Sequence, residues 1–319
     1  MRGVIVRAMF LLGVISMAGA ADAWEKVDGE ALVKTLKARY ENIVGQCDDQ
    51  PAYTCSGIIL RGTRDVLPAP LNAWDPYPAD KVSDTSFSFL RKDIAMKRLA
   101  WGYTNGFIID PPTYLAVNCF YPLDGSSTNR PENGCGGYEE FPKSKPCDQS
   151  GIETGTEWLA NNPVSDKDHK QRCGFDLRSD DTRAARFEQG VLAAVEASKT
   201  VELPNDLKIT TWTPGYDRRL PIVAFFYSNE NGKAIAQANQ LKFFRETDKF
   251  LPVIKVSFPD ASVEGVGFEF LGKYQAKVAA CYTDYENGRG ALAGYYYGTA
   301  AEDIMKKAVS APLGFCELI

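Results

Sequence analysis

The sequence predicts an α+β protein with a mixed or antiparallel sheet core, flanking helices and disulfide support. Three observations carry that expectation. Short alternating or β-branched segments are mixed with two long amphipathic stretches, without the strand–helix–strand rhythm of a wound parallel sheet. The composition, 45% hydrophobic and 24% charged, is that of a globular chain. The eight cysteines, an even number, all lie beyond the N-terminal segment and read as a disulfide set.

The N-terminus gives the compartment. Arg2 and Arg7 precede an apolar run and small-residue cleavage options at Ala18-Gly19-Ala20 or Ala21-Asp22-Ala23, the pattern of a secretory signal peptide. The expected organisation is a signal peptide at 1–23, an α+β domain at 24–259 and a C-terminal extension at 260–319 packed on it. The mature protein is expected to be secreted, extracellular or periplasmic. No later run approaches the roughly 20 apolar residues of a membrane span. A net charge of −5 gives no electrostatic reason to bind nucleic acid.

Eight cysteines allow about 105 pairings. Short loops suggest Cys47–Cys55, Cys119–Cys135, Cys147–Cys173 and Cys281–Cys316. There is no CxxC, and His169 is the single histidine, so no metal site is expected.

Asp28 is a plausible N-cap for a first helix with Leu32, Leu36, Tyr40 and Ile43 on one face. Residues 56–61 read as a strand stopped by Gly62, and a Pro-rich loop occupies 66–79. Residues 85–90 alternate hydroxyl and aromatic residues, the period of a strand. Asn105-Gly106 predicts a hairpin turn. A strand at 114–121 precedes a long loop to about residue 151. A helix is expected at 181–199, capped by Asp180 or Asp181, with Ala184, Phe187, Val191, Leu192 and Val195 on one face. Strands at 207–212 and 222–227, a helix at 233–247 and strands at 251–258 and 266–271 follow. A capping-box pattern opens a last helix at Thr299.

No Walker loop, GxGxxG, HExxH or GxSxG is present. Glu139 and Glu140 are adjacent, so on a strand they point apart and make a poor carboxylate pair. Two strand endings remain. Arg61-Gly62-Thr63 places a guanidinium beside a residue that permits close approach, and Ser86-Phe87-Ser88 puts two hydroxyls on one face. These resemble the arginine and Ser-x-Ser elements of ADP-ribosyltransferase-type folds. In such folds the arginine holds a diphosphate bidentately, and a carboxylate or amide addresses the nicotinamide ribose.

The wider chain resembles the halovibrin family of secreted bacterial proteins. The residues are Pro51-Ala52-Tyr53-Thr54-Cys55-Ser56-Gly57-Ile58-Ile59-Leu60-Arg61 and Ser86-Phe87-Ser88-Phe89-Leu90-Arg91-Lys92-Asp93. Leu99-Ala100-Trp101-Gly102 with Asn105-Gly106-Phe107-Ile108, and Cys119-Phe120-Tyr121-Pro122 through Asn133-Gly134-Cys135-Gly136, continue it. Leu220-Pro221-Ile222 and Gln240 through Leu251-Pro252-Val253 extend it. The resemblance implies an ADP-ribosyltransferase-like fold and cleavage of the nicotinamide–ribose bond of NAD, with possible transfer of ADP-ribose to a host protein. NAD is then the substrate, with no separate cofactor. Arg61 binds the diphosphate, Ser86 and Ser88 orient the site, and Trp101 or Tyr103 stacks on a ring. Glu246, in Glu246-Thr247-Asp248, and Gln240 are the candidates for the remaining catalytic group, with Glu269 as a rival. The alternative is a non-enzymatic secreted binding or adhesion protein, suggested by Trp74, Trp101, Tyr295, Tyr296 and Tyr297.

Overall fold

A computed structural model describes residues 25–26, 28–63, 84–111, 116–124, 135, 146–165, 172–210, 220–247, 249–259 and 265–270. The expected signal peptide, the Pro-rich loop, most of the 122–151 loop, His169, Glu139, Glu140, the Cys281–Cys316 pair and the helix at Thr299 lie outside them.

In chain order the elements are β1 (Glu25–Lys26), α1 (Gly29–Glu41), β2 (Gln46–Cys47), β3 (Gln50–Pro51), β4 (Ile58–Thr63), β5 (Asp84–Leu90), β6 (Asn105–Ile109) and β7 (Val117–Tyr121). They continue with α2 (Gly155–Asn161), β8 (Phe175–Asp176), α3 (Asp180–Ser198), β9 (Asp206–Thr210), β10 (Ile222–Tyr227), α4 (Glu230–Thr247), β11 (Lys249–Phe250), β12 (Val253–Ser257) and β13 (Gly267–Phe270). Nine strands form one sheet in the order β13-β12-β10-β6-β4-β5-β9-β7-β8. The class is therefore α+β with a mixed, mainly antiparallel sheet. Its parallel pair is β10 with β12, joined through α4; the sequence predicts the three elements in that order but not their parallel pairing. Gly267–Phe270 lies in the expected C-terminal extension yet forms the edge strand beside β12.

Local chemistry sets the elements. The Asp28 carboxylate accepts from the amides of Glu30 and Ala31, at 3.0 and 3.2 Å, and so satisfies donors that the first turn of α1 leaves open. α1 stops at Glu41, and Ile43, expected on its buried face, is 53% exposed. Arg39 of α1 donates to the carbonyls of Tyr53, Thr54, Ser56 and Gly57. That fork and the Cys47–Cys55 disulfide fix the loop feeding β4. Gly57 has φ +64°, and a side chain there would collide with the Phe89 ring, so a left-handed turn without a Cβ is required.

α2 carries a capping box between Thr154 and Glu157. The Thr-x-x-Glu signal is in the sequence, but no helix is predicted there. α3 spans Asp180–Ser198, with Ser179 at the cap position and Asp180 and Asp181 inside the first turn. Phe187 and Val191 are buried as expected, whereas Leu192 is 49% exposed. Phe187 packs edge-on against Tyr53, Phe89 and Phe120. Phe243 of α4 does the same against Phe225, and Tyr40 of α1 against Phe268. These aromatic contacts join the helices to the sheet in one core.

Three of the expected disulfides are present, Cys47–Cys55, Cys119–Cys135 and Cys147–Cys173. No helix among the described residues is long and apolar enough to cross a membrane.

Asn105-Gly106 is not a hairpin turn. It opens β6, a central strand buried throughout. Asn105 accepts from the Thr63 hydroxyl at 2.6 Å, and Gly106 leaves room for the β4 main chain. Nor does Gly62 stop β4, which continues to Thr63 paired with Asn105. Asn-Gly marks a turn only when its flanking segments pair with each other; here β6 pairs outward, with β4 and β10.

Candidate functional site

β5 is shared between two ladders. Its C-terminal half pairs with β4, ending at Leu60 opposite Ser88. Its N-terminal half pairs with β9, from Asp84 opposite Thr210 to Phe87 opposite Leu207. Beyond the Leu60–Ser88 pair the β4–β5 ladder ends, while β4 stays paired on its other edge with β6.

Arg61 is the next residue of β4 after the last pair with β5. Its Nη1 donates to the Ser86 carbonyl at 2.6 Å, a main-chain acceptor that β4 does not reach. Arg61 pairs across the ladder with Phe107, and Phe107 meets Phe87 edge to face at 6.1 Å. The half-buried guanidinium thus sits on an aromatic side of the sheet.

The two serine hydroxyls occupy the other side. Ser88 is opposite Leu60, so Arg61, the next residue, directs its Cβ to the opposite face. Ser86, half-buried, accepts from Lys208 Nζ at 2.6 Å. Ser88, buried, donates weakly to the Asn205 carbonyl at 3.4 Å. Asn205 also bridges the amide and carbonyl of Phe89, each at 2.7 Å. The structure therefore brings Arg61 to Ser86 through the main chain and separates the guanidinium from both hydroxyls by the thickness of the sheet.

Lys208 and Asp206, two residues apart on β9, are the functional groups that the sequence analysis does not single out. Both are buried, with Lys208 Nζ 2.8 Å from Asp206 Oδ2. Burial pushes the Asp206 carboxyl up to about 6; Lys208 opposes the shift and Asp124 adds to it. The signal available was the spacing: in Asp206-Leu207-Lys208 strand alternation places opposite charges on one face.

The aromatic candidates sit on the turn before β6. Tyr103 is half-buried over β4, where a Cβ on Gly62 would stand 3.0 Å from its ring. Trp101 is 77% exposed and has φ +60°, a left-handed conformation that is an outlier for a bulky residue. Gln240 is buried in α4, and its Nε2 donates to the Leu251 carbonyl at 2.6 Å, tying the helix to the approach to β12. Glu246 lies in the last turns of α4; its side chain is outside the description. Glu269 is exposed on β13, opposite Lys255. Among the described residues no cluster of three or more His, Cys, Asp or Glu is arranged to hold a metal ion.

The arrangement offers a planar cationic donor set beside aromatic rings and, across the strand, a buried ion pair locked to Ser86. No protein-family model matches the chain, and no curated protein matches it.

Proposed function

We propose that this protein is a secreted enzyme with an ADP-ribosyltransferase-like fold that cleaves the nicotinamide–ribose bond of NAD. The ADP-ribosyl group passes to water or to a host protein. Arg61 supports the reading most directly: its guanidinium sits where β4 and β5 part, anchored by the Ser86 carbonyl. A planar fork of donors suits two diphosphate oxygens better than a point charge does. The resemblance to halovibrins supplies the choice of NAD.

In the reaction the C1′–N bond breaks, nicotinamide leaves with the bonding pair, and the ribosyl cation is captured by water, whose proton goes to the site's base. An anion or carbonyl oxygen near C1′ stabilises the cation. Gln240 is buried with its Nε2 on the Leu251 carbonyl and its Oε1 without a hydrogen-bond partner, so Glu246 and Gln240 are tested side by side in that role. Ser86 holds Arg61 through its carbonyl, and Ser88 shapes the same strand.

Incubating the purified, oxidised protein with NAD and following nicotinamide release tests the proposal. Release that requires Arg61 supports it; no release under any condition rejects it. A second reading, a non-enzymatic binding protein, is favoured by the exposed Trp101 held at positive φ, since strained conformations concentrate at ligand-binding positions.

A further inference from the structure

Ser86 is held from two directions. Its carbonyl accepts from Arg61 and its hydroxyl accepts from Lys208, both at 2.6 Å. Lys208 is fully buried, and an ammonium carries three donors and no acceptor. Such a charge is tolerated in an interior only with a counter-charge and acceptors. Asp206 is the counter-charge and Ser86 an acceptor. The ion pair and the guanidinium are thus joined through one residue of β5.

We propose that Asp206 and Lys208 are a positioning pair that fixes Ser86, and through its carbonyl Arg61, so that the candidate site's grip on a diphosphate weakens when acid breaks the pair. This rests on the proposed function only for the choice of an anionic ligand. Among the described residues, groups facing the pair include Ser86 and Ser88 on β5, Tyr121 paired opposite Asp206 on β7, and Asp124 beyond β7. The Asp124 carbonyl is itself held by Arg172 at 2.6 Å. Asp206 has a carboxyl pushed up to about 6, within reach of mild acid. Its protonation leaves the Lys208 ammonium without its partner and shifts the hydrogen bond that orients Ser86.

ADP-ribose is a suitable probe because its diphosphate charge does not change in mild acid. Its binding to the mature, oxidised protein is measured by calorimetry at about pH 7.5 and about pH 5.5, on either side of the Asp206 transition. Parent affinity is expected to fall about three- to fourfold in acid, close to the limit for one carboxyl titrating near 6 over this range. Lys208→Met should weaken binding at least about tenfold at the higher pH, and Lys208→Arg should stay within about threefold of the parent. Asp206→Asn should bind weakly at both pH values, without the parent's pH dependence.

Parent-like binding by a folded Lys208→Met, or a pH-independent parent, overturns the proposal. If Lys208→Met does not fold, Ser86→Ala carries the test: it removes the acceptor of the lysine and should show the same weakening, and parent-like binding by it overturns the proposal. Nicotinamide release is read in parallel. Release accompanied by binding indifferent to Lys208 and pH rejects the positioning pair alone. Lys208-dependent binding without release rejects the hydrolase reading alone. A parent that binds no ADP-ribose leaves no grip to position and also overturns the pair.

Discussion

The main-chain oxygen of Arg61 occupies the space into which a Cβ at Gly106 would project. The obstacle is backbone rather than the tip of a flexible chain, so β4 and β6 must separate to admit even one methyl group. Gly106→Ala should cost about 2–4 kcal/mol, in the range for overpacking against a rigid neighbour. Urea unfolding measures it, and a parent-like midpoint would contradict this account of the contact.

Arg61→Lys keeps the charge and loses the planar fork. If Arg61 binds the diphosphate, NAD cleavage should fall at least about tenfold, equivalent to roughly 1.4 kcal/mol of transition-state binding. Initial rates of nicotinamide release give the comparison. Glu246→Ala, measured beside Gln240→Ala, should show the steeper loss if Glu246 addresses the ribose. Parent-like rates in all three variants would move the site elsewhere.

The disulfides should differ in worth. Cys147–Cys173 spans 26 residues and Cys47–Cys55 only 8. Chain entropy then predicts losses of about 3.5 and about 2.5 kcal/mol when each pair becomes serine. Denaturant midpoints of the two double variants test the order. In the untouched, oxidised protein, thiol titration under denaturing conditions should find no reactive group, since the remaining cysteines, Cys281 and Cys316, are expected to pair.

Asp206 makes an unusual contribution to stability against pH. Its folded value of about 6 lies above the ordinary 3.8, so between those limits the folded protein binds more protons than the unfolded chain. The stability contributed by this carboxyl is therefore full below 3.8 and lost as pH rises through about 6. Acidifying from about pH 7 to about pH 4 should raise the stability of the parent relative to Asp206→Asn, by up to roughly 3 kcal/mol. Urea unfolding of both proteins across that range supplies the test; a difference that shrinks in acid has the wrong sign.

Trp101 is exposed and has φ +60°, so Trp101→Gly relieves strain and removes little packing. The variant should melt no lower than the parent, with a gain of up to about 1 kcal/mol. If the indole stacks on a ligand ring, the same variant should bind ADP-ribose more weakly. A marked fall in melting temperature would mean that Trp101 is a packing residue after all.

Part of this architecture is legible in the sequence. β10 coincides with the apolar run Ile222–Tyr227 because a strand covered on both faces needs no polar alternation. Asp28 announces α1 because its capping bonds are local. What fails depends on distant partners. Asn105 and Gly106 look like a turn until β4 is placed against them, and Lys208 looks like a surface residue until β5 presents Ser86 to it. The site is legible only in its residue types: strand alternation sets the Ser86 and Ser88 hydroxyls on one face, but that Arg61 points to the other follows only from the pairing of Leu60 with Ser88.

The division of β5 between two partners has a mechanical consequence. Ser88 is bonded into the ladder with β4 and Phe87 into the ladder with β9, so the peptide between them is a joint through which torque on one half of the sheet reaches the other. Arg61 spans that joint from β4 to Ser86. That one hydrogen bond therefore ties the β4 side of the sheet to the β9 side across the point where β5 changes partner.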